Sequence, residues 1–138
     1  MREILFRGKR VDDGEWVQGD LQREKYIGEV YYEKDKSGVL DISAFFTHEV
    51  IPETVGQYTG LKDKNDKKMF EGDIVKITYL DDDLSVKKEY IRCVEFDLGM
   101  FIVVVEGGGM GHSLYAYTTN VIKPQLEIIG NVHDSETT

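Results

Sequence analysis

The sequence predicts a mainly β protein, with a small β-barrel after residue 55 and an additional β-rich segment before it. Three observations carry this. No stretch of helical length keeps its apolar residues at a 3.6-residue period. Runs rich in β-branched and aromatic residues recur along the chain, separated by short polar or glycine-bearing turn signals. The short strands expected after residue 55 suit a sheet closed on itself, which removes the exposed edges of an open one. The expected organisation is a β-rich segment over 1–55, the barrel over 56–134 and a frayed tail over 135–138.

The elements follow in order. EILFRGKRV and EWVQGDLQ alternate on either side of Asp12-Asp13-Gly14, a turn signal, so residues 3–22 read as a hairpin. EVYYE at 29–33 is a third strand, closed by the polar turn KDKSG at 34–38. VLDISAFFTHEVIPETVGQYTG reads as strand and loop in alternation, a pattern that leaves a short helical turn near Ser43–Phe46 open. From Asp73 the pattern sharpens: IVKITYL places Val75, Ile77 and Tyr79 on one face and Lys76 and Thr78 on the other. Asp81-Asp82-Asp83 turns the chain. KEYIRCVEF and MFIVVVE flank Asp97-Leu98-Gly99 and form a second hairpin, and the continuous run Ile102–Val105 indicates a strand covered on both faces. GGGMGH at 107–112 is loop, LYAYTTNVI is strand or short helix, and LEIIGNV at 126–132 is the last strand. On this reading five short strands build the barrel, with Val75, Ile77, Val94, Phe96 and Val103 in its core.

Composition narrows the function classes. The chain has 138 residues and a formal charge of −9, with 41% hydrophobic and 31% charged residues, the balance of a globular domain. The charge is spread evenly: residues 1–60 hold 8 bases and 12 acids, residues 61–138 hold 9 and 14. Without a basic lobe the chain is not expected to bind duplex DNA nonspecifically or to bind anionic membranes. The first residues reach charge at once and no long apolar run follows, so a cytoplasmic location is expected, with no membrane span. The single cysteine, Cys93, lies in an apolar run and reads as a small buried hydrophobe.

The segment GLKDKNDKKMFEGDIVKI, Gly60–Ile77, poses the sharpest question, because a charged half leads directly into an alternating strand. Asn65-Asp66 is a turn dipeptide, and Gly72-Asp73 a second tight turn whose carboxylate can accept local backbone N–H groups. Turn chemistry therefore accounts for the charge, while rigidly held loops also carry function. Together with EILFRGKRVDDGEWVQGDL and LEIIGNVHD, the stretch VIPETVGQYTGLKDKNDKKMFEGDIVKI resembles the YopX family of bacteriophage and prophage proteins. The resemblance covers nearly the whole chain. It implies an SH3-like barrel in a β-rich protein encoded by a phage or integrated prophage, and no defined molecular activity. Members usually carry Gly where this chain has Asp66, and a Tyr-rich ending where it has Val132-His133-Asp134.

Chemistry-bearing constellations are sparse. His48, His112 and His133 have no partner at metal-ligand spacing, and the consecutive acids Asp81–Asp83 lack the alternation of a calcium loop. GGGMGH lacks the Lys-Ser/Thr of a phosphate-binding loop, and no serine sits in a nucleophile-elbow context. No enzyme activity, cofactor or metal is expected. The expected function is macromolecule binding, to a host or phage protein, with a homo-oligomer left open. The candidate surface is Tyr58, Lys62, Asp63, Lys64, Lys67, Lys68, Glu71 and Asp73, with nearby aromatics as contact anchors. Two alternatives from other classes are a barrel that binds single-stranded nucleic acid through Lys62, Lys64, Lys67 and Lys68, and a cryptic hydrolase.

Overall fold

The computed structural model describes residues 2–80, 86–104, 112–115 and 124–134. The chain divides into two compact units, Met1–Tyr58 and Thr59–Thr138. Among the described residues the only helical element is one short 3-10 turn, Pro52–Thr54, and strands dominate throughout.

The first unit begins with the predicted hairpin. β1 (Phe6–Lys9) and β2 (Trp16–Gln22) pair antiparallel, with Phe6 opposite Gly19 and Lys9 opposite Trp16. In the connecting turn Gly14 takes φ 73° and its N–H donates to the Arg10 carbonyl. β2 changes neighbour halfway along: its later residues pair with β3 (Tyr26–Lys34), Asp20 opposite Gly28 and Gln22 opposite Tyr26. β3 in turn pairs along its whole length with β4 (Leu40–Glu49), through a bulge between Tyr31 and Tyr32. The β3–β4 turn is organised by Asp35, whose carboxylate accepts from the Ser37 hydroxyl and from the N–H groups of Ser37 and Val39. The end of β4 returns to β1, where the Val11 N–H donates to Glu49 and the Ile51 N–H to Lys9.

Within the segment read as strand and loop in alternation, Leu40 to Glu49 form one ten-residue strand, so the helical turn left open near Ser43–Phe46 is strand and the one found lies at Pro52–Thr54. The reasons are local: β-branched and aromatic residues fit a pleated surface, whereas proline suits the first position of a helical turn. Thr54 reinforces that turn by donating its hydroxyl to the Ile51 carbonyl. The first half of β5 (Gly56–Lys62) lies beside β1, with Phe6 opposite Gln57, and β5 carries the chain into the second unit.

The second unit holds β6 (Lys68–Phe70), β7 (Asp73–Leu80), β8 (Val86–Asp97), β9 (Met100–Val104), β10 (His112–Ser113) and β11 (Gln125–Asn131). The last five of these strands make an antiparallel sheet in the order β10-β9-β8-β7-β11. Leu126 faces Ile77 across β11–β7, and Val94 faces Val103 across β8–β9. The core is Met69, Val75, Ile77, Val94, Val103, Leu114 and Leu126, joined at its margin by Tyr79, Tyr90 and Phe101. On the opposite face Cys93, Ile102 and Val104 form a second buried cluster, so Ile102–Val104 of the predicted Ile102–Val105 run is covered on both sides, and Val105 lies outside the described residues.

The predicted closed barrel is not observed: among the described strands the sheet is open, with β10 and β11 at its two edges. One edge is instead occupied by a loop. The Lys64 N–H donates to the Leu126 carbonyl, and the Ile128 N–H donates to the Asp63 carboxylate. These bonds satisfy β11 groups that a barrel would have given to another strand. The number of strands also exceeds the five expected after residue 55, because β6 and β10 are too short to carry a periodic signal.

Phe96 is a further correction. Its phase is right, since it shares a strand face with buried Val94, but it is 52% exposed. It sits next to the two-residue turn Leu98-Gly99 (φ 52° and 77°), where β8 has run past the end of the core. Its ring meets the Phe101 ring in an edge-type arrangement, at 5.1 Å between centroids. The expected turn at Asp81–Asp83, the loop 107–111, most of LYAYTTNVI and the tail 135–138 lie outside the described residues.

Candidate functional site

The charged segment after Gly60 is built as a turn around one carboxylate. Asp63, only 7% exposed, accepts from the N–H groups of Asn65 and Lys67 through Oδ1, both at 2.9 Å, and from Ile128 through Oδ2 at 3.0 Å. Its own N–H donates to the Lys67 carbonyl and its carbonyl accepts from the Asp66 N–H. Asp66 occupies the left-handed region at φ 64°, as a turn residue of this kind can.

A second carboxylate holds the next turn. Asp73, 1% exposed, accepts from the Phe70 N–H at 2.8 Å and from Asn131 Nδ2 at 3.2 Å. Between them Gly72 has φ 92°, donates its N–H to Val94 and accepts at its carbonyl from Val132. A side chain there would be strained, and its Cβ would lie 3.3 Å from Asn131 Nδ2.

The sequence-selected residues therefore fall into two groups. Tyr58, Asp63 and Asp73 are buried; Lys62, Lys64 and Lys67 are exposed; Lys68 and Glu71 are half-buried. Lys62 Nζ lies 3.6 Å from Asp66, and Lys64 Nζ lies 2.9 Å from Glu127. The Lys64 hydrogen bond and charge hold the Glu127 carboxyl below its ordinary value. The buried acids serve the turns, and Lys62 and Lys64 face carboxylates. Glu127, Ile128 and Asn131, which complete this arrangement, were not selected from sequence. The signal for them was LEIIGNVHD, a run that reads locally as strand and turn.

The larger exposed feature lies in the first unit. β3 leaves β2 after Gly28, and beyond it β3 and β4 continue as a two-stranded arm. On this arm Tyr31, Tyr32, Phe45 and Phe46 are 50%, 58%, 51% and 52% exposed. Register sorts them by face. Phe46 is opposite Glu29 and His48 opposite Ile27, so Glu29, Tyr31, Phe46 and His48 share one side. There the Tyr31 and Phe46 rings meet edge to face at 5.7 Å, and the Tyr31 hydroxyl donates to Glu29 at 2.7 Å. That hydrogen bond, with the negative charge of Glu29, raises the Tyr31 phenol above its ordinary value. His48 Nε2 lies 3.7 Å from the same Glu29 oxygen.

Where β2 and β3 part, a shallow open cleft of about 370 Å³ is lined by Asp20, Glu29, Val30, Tyr31 and Tyr32 among others. Its apex is the crossing of Gly19 and Gly28. A Cβ on Gly19 would lie 2.0 Å from the Gly28 carbonyl oxygen, so the strands can approach this closely only without a side chain there. Among the described residues no group of three or more His, Cys, Asp or Glu gathers as a metal site, and no helix is long and apolar enough to cross a membrane.

Comparison with known proteins agrees with the architecture. Comparison with curated proteins gives no match. Among solved structures the chain is similar to protein EF1440 from Enterococcus faecalis, with a TM-score of 0.56 and 18% identity. The alignment covers 96% of this chain and 95% of that one, a likeness of fold. The family model described as YopX protein matches residues 5–137. The residues of that resemblance meet in space, Asp63 with Ile128 and Asp73 with Asn131, and the chain belongs to the YopX protein family.

Proposed function

We propose that this chain is a non-enzymatic, protein-binding module of phage or prophage origin, working in the bacterial cytoplasm, and that its contact surface is the β3–β4 arm. The observation that carries this is the exposure of four aromatic rings, Tyr31, Tyr32, Phe45 and Phe46, on one two-stranded arm. Large rings exposed together are characteristic of protein contact sites, where they contribute much of the binding energy. A two-stranded arm is also marginal by itself and gains order when a partner covers it.

The lysine-rich turn supports the reading less well, because its acids are engaged within the fold and Lys62 and Lys64 face Asp66 and Glu127. The same pairings weaken the single-stranded nucleic-acid alternative, which draws on those lysines to neutralise phosphate.

The test is affinity capture from phage-induced host cells at low and moderate salt, with wild type, Tyr32→Ala with Phe46→Ala, and Lys62→Ala with Lys67→Ala. A protein partner retained at moderate salt and lost with the aromatic pair supports the proposal. Loss with the lysine pair alone, or capture of nucleic acid that falls steeply with salt, rejects it.

A further inference from the structure

We infer that two copies of this chain associate by pairing the outer edges of their β4 strands, antiparallel and with Phe46 opposite Phe46 of the second copy. This goes beyond the contact surface proposed above, because edge pairing leaves both faces of each arm open. β4 is the edge of its sheet: β3 lies on one side and no described strand on the other.

The hydrogen bonds at the end of β4 fix which residues point outward. The Val50 N–H donates to Lys25, on the β3 side, whereas the Glu49 carbonyl accepts from Val11, on the other. Backbone groups reverse direction at each residue of an antiparallel strand. Phe46 and His48 therefore bond to β3, and Phe45 and Thr47 turn their N–H and C=O groups outward. This stretch has definite ends. Glu49 is closed by Val11, and the bulge opposite Tyr31 and Tyr32 interrupts the register before Ala44.

The residues of the edge favour a second copy as its occupant. Edge strands of this length are ordinarily guarded by a charge, a proline or a covering element. From Ile42 to His48 there is no Lys, Arg, Asp, Glu or Pro, in a chain with 31% charged residues and a net charge of −9. Here an acidic protein can meet its own copy without setting like charges opposite one another. Two-fold symmetry then selects the register. With Phe46 opposite its copy in a non-hydrogen-bonded pair, Phe45 of each chain faces Thr47 of the other, and these residues exchange four N–H···O bonds. Centring the pairing on Phe45 would instead set Thr47 against Ser43 at the bulge and Glu49 against Asp41, two acids.

Side chains fit the same register. On one face the two Phe46 rings meet, each already packed against a Tyr31 ring at 5.7 Å between centroids, and His48 stands opposite the small Ala44. On the other face Phe45 opposes the β-branched Thr47; its ring lies over Gly28, where a Cβ would come within 3.2 Å of it. Both phenylalanines are half exposed and have area to bury. The product is a four-stranded sheet, β3-β4-β4-β3, where each arm alone has the two strands that are marginal in water.

The experiment is sedimentation equilibrium of the full chain over a range of concentrations. Wild type should form a reversible dimer. Thr47→Pro removes the outward N–H and leaves the bonds to β3, so two of the four bonds are lost and the dimer should weaken by about tenfold or more. Phe46→Lys and Phe46→Glu each set like charges opposite one another at the two-fold and should weaken it at least as much. An equimolar mixture of those two should restore association, which also decides the matter if proline distorts β4. Ile129→Lys, at a similarly exposed apolar residue of the second unit, should leave the dimer unchanged. A chain that stays monomeric to about 1 mM, a dimer that Phe46→Lys leaves intact, or a Lys/Glu mixture that does not associate overturns the inference. Capture of a cellular protein through the arm by a strictly monomeric chain would leave the contact surface standing and remove the dimer.

Discussion

Replacing Asp63 with Ala tests whether the charged turn is part of the fold's scaffold. The carboxylate accepts three backbone N–H groups, from Asn65, Lys67 and Ile128. A hydrogen bond to a charged group contributes about 1.5–3 kcal/mol net. Asn65 and Lys67 are exposed, so water can replace the carboxylate there, and each of those bonds is worth about 0.5–1 kcal/mol. The Ile128 N–H is on a half-buried strand residue and its loss costs about 1.5–3 kcal/mol. The expected destabilisation is about 3–4 kcal/mol. With a urea m-value of about 1.5 kcal/mol per molar, the unfolding midpoint falls by about 2 M. Asp63→Asn keeps one acceptor oxygen but points an NH2 at a donor, and should lose about half as much. Urea unfolding followed by circular dichroism measures the midpoint, and amide exchange at Ile128 reports the local bond. A loss under about 1 kcal/mol with unchanged m-value and unchanged Ile128 exchange would refute the reasoning.

Three further outcomes follow from the geometry. Asp66→Gly relieves the left-handed conformation at φ 64° and should raise stability by about 0.5 kcal/mol, after the looser unfolded chain and the exposed Lys62 pair are allowed for; a lower urea midpoint would contradict this. Phe96→Ala should cost about 1–1.5 kcal/mol, because the ring is half exposed and touches Phe101 at its edge, whereas Ile77→Ala in the core should cost about 2–5 kcal/mol; equal losses would show that Phe96 is a core residue after all. Lys64→Met removes the cation that lowers the Glu127 carboxyl from its ordinary 4.5, so the stability gap to wild type should be full above that pH and close as pH falls through the lowered folded value. Urea midpoints between pH 7 and 3 check it, and a gap as wide at pH 3 as at pH 7 would remove the ion pair as its cause.

The sheet and hairpin architecture was readable because its signals are local. Val75 and Ile77 alternate with Lys76, and Leu98-Gly99 sits between two apolar runs, so strand faces and the turn follow from a few residues. Asn65-Asp66 was readable as a turn for the same reason, and Asp66 takes φ 64° there. The candidate surface was less legible. Lys62, Asp63, Lys64 and Asp66 look alike as a polar run, yet Asp63 is buried because Ile128, 65 residues away, supplies its third donor. Asp73 likewise meets Asn131 across 58 residues.

From the residue order alone came the β class, the phase of the strands and the turn at Asn65-Asp66, all of which rest on neighbours within a few residues, and the family resemblance, which rests on motifs along the chain. The folded chain decided where each strand runs past its core, and so that Phe96 is exposed while Val94 is not. It also decided that the β11 edge meets the Asp63–Lys64 loop instead of closing a barrel, and that β3 leaves β2 at Gly28 to set Tyr31, Tyr32, Phe45 and Phe46 in the open. Alternation specifies which side a residue faces. Whether anything covers that side depends on elements distant in sequence, and no local pattern records it.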